Sequence, residues 1–269
     1  MDNNAAEFVG SIPEQYDRGL GPVIFVDCAT DIARRVAAGH PARVLETAAG
    51  TGIVTRALRD ALPAGAQLTA TDLNPPMLEV ARRKFAAAEA VQFQPADAQA
   101  LPFADASFDA VVCQFGVMFF PDKDKAYREV RRVLTPGGQF LFNVWDGFDN
   151  NPFGQIAYDV ISRIFPAEPP QFYKVPFSYP FEPAKDSLVA AGFTDVTGTV
   201  LKFDKAIPDL DAFARGMVYG NPVVDQIRAR GRVDPDQVVK DLIDAFRAAF
   251  GEPAQMPLQA LVMSGRKPE

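Results

Sequence analysis

Three acidic residues stand at the ends of three short apolar or β-favouring runs: Glu46 after "RVL", Asp72 after "QLTAT" and Asp97 after "VQFQPA". Between the first two lies "TAAGTG", where Gly50 and Gly52 interrupt the chain before Val54, Leu58 and Leu62 recur at helical spacing. A strand that turns on glycine into a helix brings its backbone close to a ligand. The surrounding residues limit which ligand that is. A phosphate-binding loop needs Gly-Lys-Ser/Thr, and no lysine follows Gly52. The dinucleotide fingerprint needs a third Gly or Ala three residues after Gly52, where Thr55 stands, and its first glycine position is Ala48. A pyrophosphate would meet like charge at Glu46, whereas a cationic ligand would be matched there. Asp72 can accept from both hydroxyls of a ribose, and Asp97 from an adenine amino group.

These residues need a frame, and the hydrophobic pattern supplies one. Strands are expected at 42–46, 67–71, 91–94, 108–113 and 139–145, with a helix after each glycine, proline or charged break. Asn74 suits a helix cap and Pro75 or Pro76 its first turn. "FDAVVC" has no polar alternation after Asp109, as in a fully buried parallel strand. Short connections and strict alternation imply an α/β, doubly wound, mostly parallel sheet. A sixth strand near "VTGTVLKF" and a last one at "LQALVMSGR" bring the sheet to seven strands. Helical patterns at 152–165 and 210–250 exceed what the sheet can use, so part of them forms a helical cap. The aromatics of "PAEPPQFYKVPFSYPFEP" argue for an ordered, packed loop there, either the cap's own core or the lining of a pocket.

Three segments follow: residues 1–40, an N-terminal helical segment; residues 41–147, a ligand-binding core; and residues 148–269, the rest of the sheet with the inserted cap. Together they make one discontinuous globular unit. The net charge of −7 gives a nucleic-acid partner no electrostatic support. The N-terminal stretch lacks a basic region followed by an apolar one, and no apolar run is long enough to span a bilayer. A cytoplasmic protein without membrane insertion is expected, its oligomeric state left open. Cys28 and Cys113 are too few for a disulfide framework, and Cys113 reads as an inert thiol in a buried strand. His40, the single histidine, reads as structural, and no Cys/His cluster has metal-ligand spacing. Neither a hydrolase triad nor a metal is expected.

Five segments in order, "VLETAAGTG", "TATDLNPPML", "ADAQALPFADASFDAVVC", "QFGVMFFPD" and "AYREVRRVLTPGGQFLF", resemble the class I S-adenosylmethionine-dependent methyltransferases. The resemblance is greatest to the small-molecule group related to ubiquinone and menaquinone methyltransferases. It covers about residues 43–145, and the region beyond matches only in outline. The resemblance implies a Rossmann-like fold and transfer of a methyl group from S-adenosylmethionine to an O, N or C nucleophile of a small metabolite, with S-adenosylhomocysteine as product. It places Glu46, Ala48, Gly50 and Gly52 at the methionine end, and Asp72 on the ribose. Leu73 and Met77 fall beside the adenine, with Asp97, Ala98 and Gln99 at its amino edge. Gln114 and Phe115 lie under the methionine portion and face the substrate, and Tyr16 folds over the cofactor. Ala48 stands where the family has its first glycine and Glu46 where it more often has aspartate; the alanine is tolerated if its φ is negative.

Blander readings stand beside these. Glu46 could be an exposed strand-end charge, Asp97 could open a turn, and Gln114 could merely close an apolar run. "NPPM" at Asn74–Met77 is explained by a helix start rather than by the motif of enzymes that methylate base amino groups, which follows a later strand and ends in an aromatic residue. Tyr16, Asp146 and Tyr173 are candidates for a base by position only, so no catalytic residue is assigned. The aromatic excess, 22 Phe, points to an apolar or aromatic acceptor. Two other functions compete: a non-catalytic S-adenosylmethionine-binding protein, and a nicotinamide-dependent oxidoreductase, which Thr55 and Glu46 disfavour.

Overall fold

The computed structural model describes residues 6–269; residues 1–5, the start of the expected N-terminal segment, lie outside them. The chain divides into two compact units. The first is built from Val26–Val144, Pro180–Leu201 and Ala260–Glu269. The second is built from Met1–Phe25, of which residues 1–5 are outside the described residues, together with Trp145–Tyr179 and Lys202–Gln259.

In chain order the elements are α1 (Ile12–Gly19), α2 (Val26–Ala37), β1 (Arg43–Glu46), α3 (Ile53–Ala61), β2 (Gln67–Asp72), α4 (Pro75–Arg82), β3 (Val91–Pro95), β4 (Phe108–Gln114), α5 (Lys123–Val133), β5 (Leu134–Trp145), α6 (Pro152–Ile164), α7 (Phe181–Ala190), β6 (Thr194–Ala206), α8 (Leu210–Tyr219), α9 (Val223–Arg230), α10 (Pro235–Phe250) and β7 (Gln255–Arg266). The seven strands lie in the order β3-β2-β1-β4-β5-β7-β6. β1 pairs in parallel with β2 and β4, β2 with β3, and β4 with β5. β7 runs the other way. The Gly137 N–H donates to the Lys267 carbonyl at the start of β5, while the Asp146 N–H donates to the Gln259 carbonyl beyond its end.

The central parallel strands β1 and β4 are covered because their residues are apolar on both faces. On one face Ala29, Ile32, Ala33 and Val36 of α2 and Val54 and Leu58 of α3 pack with Val44, Leu68, Ala110, Val112 and Leu141. On the other, Tyr127 of α5 stacks on Phe142 at 5.8 Å, and Phe140 meets Phe193 at 5.9 Å. The expected strand at 139–145 begins earlier than its apolar run, at Leu134. Phe108 pairs with Leu134 but Ala110 with Gln139, so the "TPGG" segment bulges out of the ladder rather than ending it.

In the second unit, helices α1, α8, α10 and α6 pack in succession, α8 on both α1 and α10, and α10 on α6. The aromatics of the proline-rich loop serve this core. Phe177 lies 4.8 Å from Phe148 and 5.5 Å from Phe153, and Phe153 meets Trp145 at 5.7 Å. Phe172 and Tyr173 are buried, and the Tyr173 hydroxyl donates to the Met217 carbonyl. Asp146 is equally committed. One oxygen accepts from the Gly147 N–H at 2.7 Å; the other accepts from the side chains of Asn150, at 3.0 Å, and Gln259. A tyrosine and a carboxylate so occupied act as struts, not as bases.

Asn151 ties this unit together. It is fully buried, donates to the Asp146 and Gln259 carbonyls at 2.9 Å each, and accepts from the Gln259 N–H at 2.9 Å. Replacing Asn151 by Ala strands the Asp146 carbonyl and the Gln259 N–H, while the Gln259 carbonyl keeps the Asp146 N–H. Urea denaturation should show a loss of about 2–4 kcal/mol, since each buried polar group left unpaired costs about 1–3 kcal/mol. A loss below about 0.5 kcal/mol, the scale of an ordinary surface substitution, would refute the strut.

Candidate active site

Every candidate position outside the second unit falls at the carboxyl ends of β1, β2, β3 and β4, the edge where open α/β sheets bind ligands. The strand order reverses between β1 and β4, because β1 leads outward to β2 and β3 while β4 leads to β5. The connections leaving those two strands therefore run to opposite sides of the switch in strand order, the place where ligands bind in open α/β sheets.

β1 ends at Glu46, and the turn after it alternates its backbone sign. Ala48, Gly50 and Gly52 have φ of 52°, 56° and 80°. The expectation of a negative φ at Ala48 is thus overturned. The turn demands the left-handed region at each of its three even positions, and alanine bears a strain on the order of 1 kcal/mol there. Its methyl group fits because Gly116, beyond β4, has none. A Cβ on Gly116 would lie 2.4 Å from that of Ala48 and 2.9 Å from the Cys113 Sγ. The turn is further held by the Ala49 N–H donating to the Thr71 carbonyl at 2.9 Å and by the Thr71 hydroxyl donating to the Glu46 carbonyl at 3.0 Å.

Glu46 is not an exposed strand-end charge; it is 1% exposed. The hydroxyl of Thr55, on α3, donates to its Oε2 at 2.6 Å. This explains the threonine where a dinucleotide site would carry glycine or alanine. Burial lifts the Glu46 carboxyl from 4.5 to about 8, against the pull of the Thr55 bond and with added repulsion from Asp72.

Asp72 is buried too, and burial raises its pKa although backbone bonds oppose the shift. Its Oδ2 accepts from the Gly50 N–H and its Oδ1 from the Asn74 N–H, both at 2.8 Å. The carboxylate is thereby clamped between the glycine turn and the start of α4: Oδ1 also accepts from the Asn74 side-chain amide at 3.3 Å, while Oδ2 keeps a second lone pair. Leu73 beside it is 58% exposed. Met77 is buried, and its Cε would lie 3.5 Å from a Cβ on Gly50.

The Asp97 segment is hooked to the same place by the Ala96 N–H, which donates to the Asp72 carbonyl at 3.0 Å. Asp97 opens a turn: its Oδ1 accepts from the Gln99 N–H at 2.8 Å. Ala98 is buried, and the Gln99 side-chain oxygen accepts from the Asp122 N–H at 3.0 Å. Gln114 and Phe115 close β4. Phe115 is buried with a φ of 53°, and its N–H donates to the Asn143 carbonyl at 2.9 Å. Gln114 accepts from the Asn143 side-chain amide at 2.9 Å. Tyr16 belongs to the second unit, where its ring stacks on Phe25 at 4.9 Å and meets Phe8 edge-on at 5.8 Å.

Three participants escaped the sequence reading. Thr55 and Gly116 act through neighbours distant in sequence. Asn143 left one signal, a lone carboxamide within the apolar run "FLFNVW". Cys113 is buried, and burial pushes its thiol up to about 12, as for an inert core cysteine. Among the described residues no group of three or more His, Cys, Asp or Glu could hold a metal ion, and no helix is long and apolar enough to cross a membrane.

Residues 45–142 match the family described as a methyltransferase domain. Over 142 residues, 51% of this chain and 61% of the relative, the chain is 41% identical to a demethylmenaquinone methyltransferase of Thermus thermophilus. It is 41% identical to the demethylmenaquinone methyltransferase of Deinococcus radiodurans over 164 residues, 60% of this chain and 68% of that one. Among solved structures it resembles the YcgJ protein of Bacillus subtilis, with a TM-score of 0.58 at 22% identity, covering 90% of this chain and 99% of that one. A phosphoethanolamine N-methyltransferase of Haemonchus contortus gives 0.58 at 18% identity, over 97% and 61% of the two chains, a likeness of fold. The chain belongs to the class I S-adenosylmethionine-dependent methyltransferases, in the group related to the ubiquinone and menaquinone methyltransferases. The matched length of the Thermus relative is about three fifths of that protein.

A carboxyl group raised by burial stabilises the unliganded fold fully below its ordinary pKa and loses that contribution as the pH rises through its folded value, here from 4.5 through about 8. The melting temperature of the wild type should therefore fall between about pH 5 and about pH 8 more steeply than that of Glu46→Gln. Parallel curves would disprove the burial of an ionisable Glu46. Gly116→Ala should destabilise by about 1–3 kcal/mol in denaturant titrations, with part of the loss recovered in an Ala48→Gly background. No recovery would show that the two methyl groups do not compete.

Proposed function

We propose that this protein transfers the methyl group of S-adenosylmethionine to an oxygen, nitrogen or carbon nucleophile of a small apolar or aromatic metabolite, leaving S-adenosylhomocysteine. The observation that carries the reading is the pair of buried carboxyl groups, Glu46 and Asp72, on either side of a left-handed turn. No lysine or arginine stands among the candidate residues, so the set suits a cationic ligand with ribose hydroxyls rather than a pyrophosphate. Relatives named as demethylmenaquinone methyltransferases support the acceptor class.

In this reading Glu46, Ala48, Gly50 and Gly52 hold the methionine end, and Asp72 accepts from the ribose hydroxyls in an orientation set by the Gly50 and Asn74 amides. Leu73 and Met77 flank the adenine, Asp97, Ala98 and Gln99 meet its amino edge, and Tyr16 covers the cofactor. Gln114 and Phe115 separate the methionine portion from the acceptor. When bound, the cofactor supplies an electrophilic methyl group with a neutral thioether as leaving group. The residues then contribute by aligning the nucleophile with the methyl carbon and by excluding water. The segments at 1–40 and 148–269 serve as cover and substrate cap around the 41–147 core. The same reading places the reaction in the cytoplasm and needs no metal ion.

Calorimetric titration of the wild type with S-adenosylmethionine and S-adenosylhomocysteine should give dissociation constants on the order of micromolar, with no heat from NADH. Asp72→Ala should weaken both by about tenfold or more, the scale of a lost hydrogen bond to a charged group. Unchanged affinity would refute the ribose assignment, and binding of NADH alone would refute the whole reading. Transfer of labelled methyl to short-chain 2-demethylmenaquinol or to substituted phenols separates an enzyme from a non-catalytic binder.

A further inference from the structure

Two irregularities meet at the carboxyl end of β4. Phe115 is a bulky residue in the left-handed region, at a φ of 53°. Asn143, its neighbour on β5, is fully buried, and its side-chain oxygen has no hydrogen-bond partner among the described residues. Left-handed aromatics and orphaned buried acceptors are both uncommon, and such features persist only where the surroundings enforce them. Here they are two ends of one arrangement.

The register sets Gln114 directly opposite Asn143. The Asn143 side-chain nitrogen donates to the Gln114 Oε1 at 2.9 Å, and the Asn143 main-chain carbonyl accepts from the Phe115 N–H at 2.9 Å. A single residue therefore holds both members of the elbow, one through its side chain and one through its backbone. In this pairing one bond joins the two carboxamides, from the Asn143 nitrogen to the Gln114 oxygen. Once the nitrogen of Asn143 is spent on the oxygen of Gln114, its own oxygen stays unpaired. A leucine at 143 would be close in size and would remove the orphan, as the neighbours Phe140, Leu141, Phe142 and Val144 illustrate. What asparagine adds is the fixed position of Gln114.

We infer that Asn143 is a positioning residue of the methyl-transfer site: through its amide it sets Gln114, and with it the Gln114–Phe115 elbow, against the methionine end of the cofactor. This rests on the proposed function, since it takes the elbow to line that end. The side-chain arm is the part a substitution can remove, because the bond from the Phe115 N–H is to backbone and survives any change at 143.

The test is a cycle of Asn143→Leu, Gln114→Leu and the double variant, each titrated calorimetrically with S-adenosylmethionine and melted without ligand. Asn143→Leu should bind about tenfold or more weakly while its melting temperature stays level or rises, because the orphaned oxygen is gone. In the Gln114→Leu background the same substitution should change affinity by less than about twofold. Should Asn143→Leu fail to fold, Asn143→Val, which suits a strand, takes its place with the same expectations. Affinity unchanged in the single variant overturns the inference. So does an equal loss in both backgrounds, or affinity and melting temperature falling together. Wild type that binds no S-adenosylmethionine would overturn the proposed function instead, a different result from any of these.

Discussion

Glu46 has almost no solvent around it, and an acid in that position must either take up a proton or find a cation. Burial raises its pKa to about 8, so near neutrality the unliganded protein keeps the group largely protonated. The rest of the site depends on how that desolvation is managed. Thr55 supplies a side-chain bond that Glu46 accepts, and Thr71 ties down its backbone. Asp72, itself buried, adds repulsion and is held in place by the amides of Gly50 and Asn74. Two acids this close and this dry are expensive in an empty protein. A cationic ligand would reverse the sign of that expense, as the proposed function requires of a site that disfavours charge on its own.

Backbone strain follows from the same arrangement. To carry main chain past two carboxyl groups and into α3, the turn after β1 uses left-handed conformations at Ala48, Gly50 and Gly52. The loop after β4 uses another at Phe115. These two loops lie on either side of the switch in strand order, and they touch where the Ala48 methyl group occupies the space that Gly116 leaves. Alanine at the first glycine position is thus an adjustment shared between two loops rather than a defect in one. Asn143 extends the same logic to β5 by fixing the Gln114–Phe115 elbow from the side.

Chemical reactivity is withheld from several groups that might have supplied it. Tyr173 and Asp146 are bound into the frame of the second unit, and Cys113 is sealed in β4. The aromatic residues of the proline-rich loop are spent largely on one another. What is left at the strand ends is a surface suited to holding and orienting, which is the contribution that matters when the leaving group is already good.

How much of this was legible beforehand depended on the range of each interaction. Strand and helix positions follow from periodicities of two and 3.6 residues, so β1 to β4 and their helices could be read locally to within a residue or two. The acidic residues at strand ends were equally visible, because their place is set by where an apolar run stops. Their environment was not. That Glu46 is buried depends on Thr55 nine residues on, that Ala48 must be left-handed depends on the path of the turn, and that it fits depends on Gly116. The "TPGG" segment follows the end of α5 and lies inside β5, where the Gly137 N–H donates to the Lys267 carbonyl of a strand far along the chain. Asn143 looked like one polar residue in an apolar strand until its register set it opposite Gln114. Sequence by itself determined the order of elements and the chemistry available at each strand end, since both are properties of neighbours along the chain. Tertiary structure alone decided which of those groups are dry, strained or paired, because solvent exclusion and hydrogen bonding act between residues that only folding brings together.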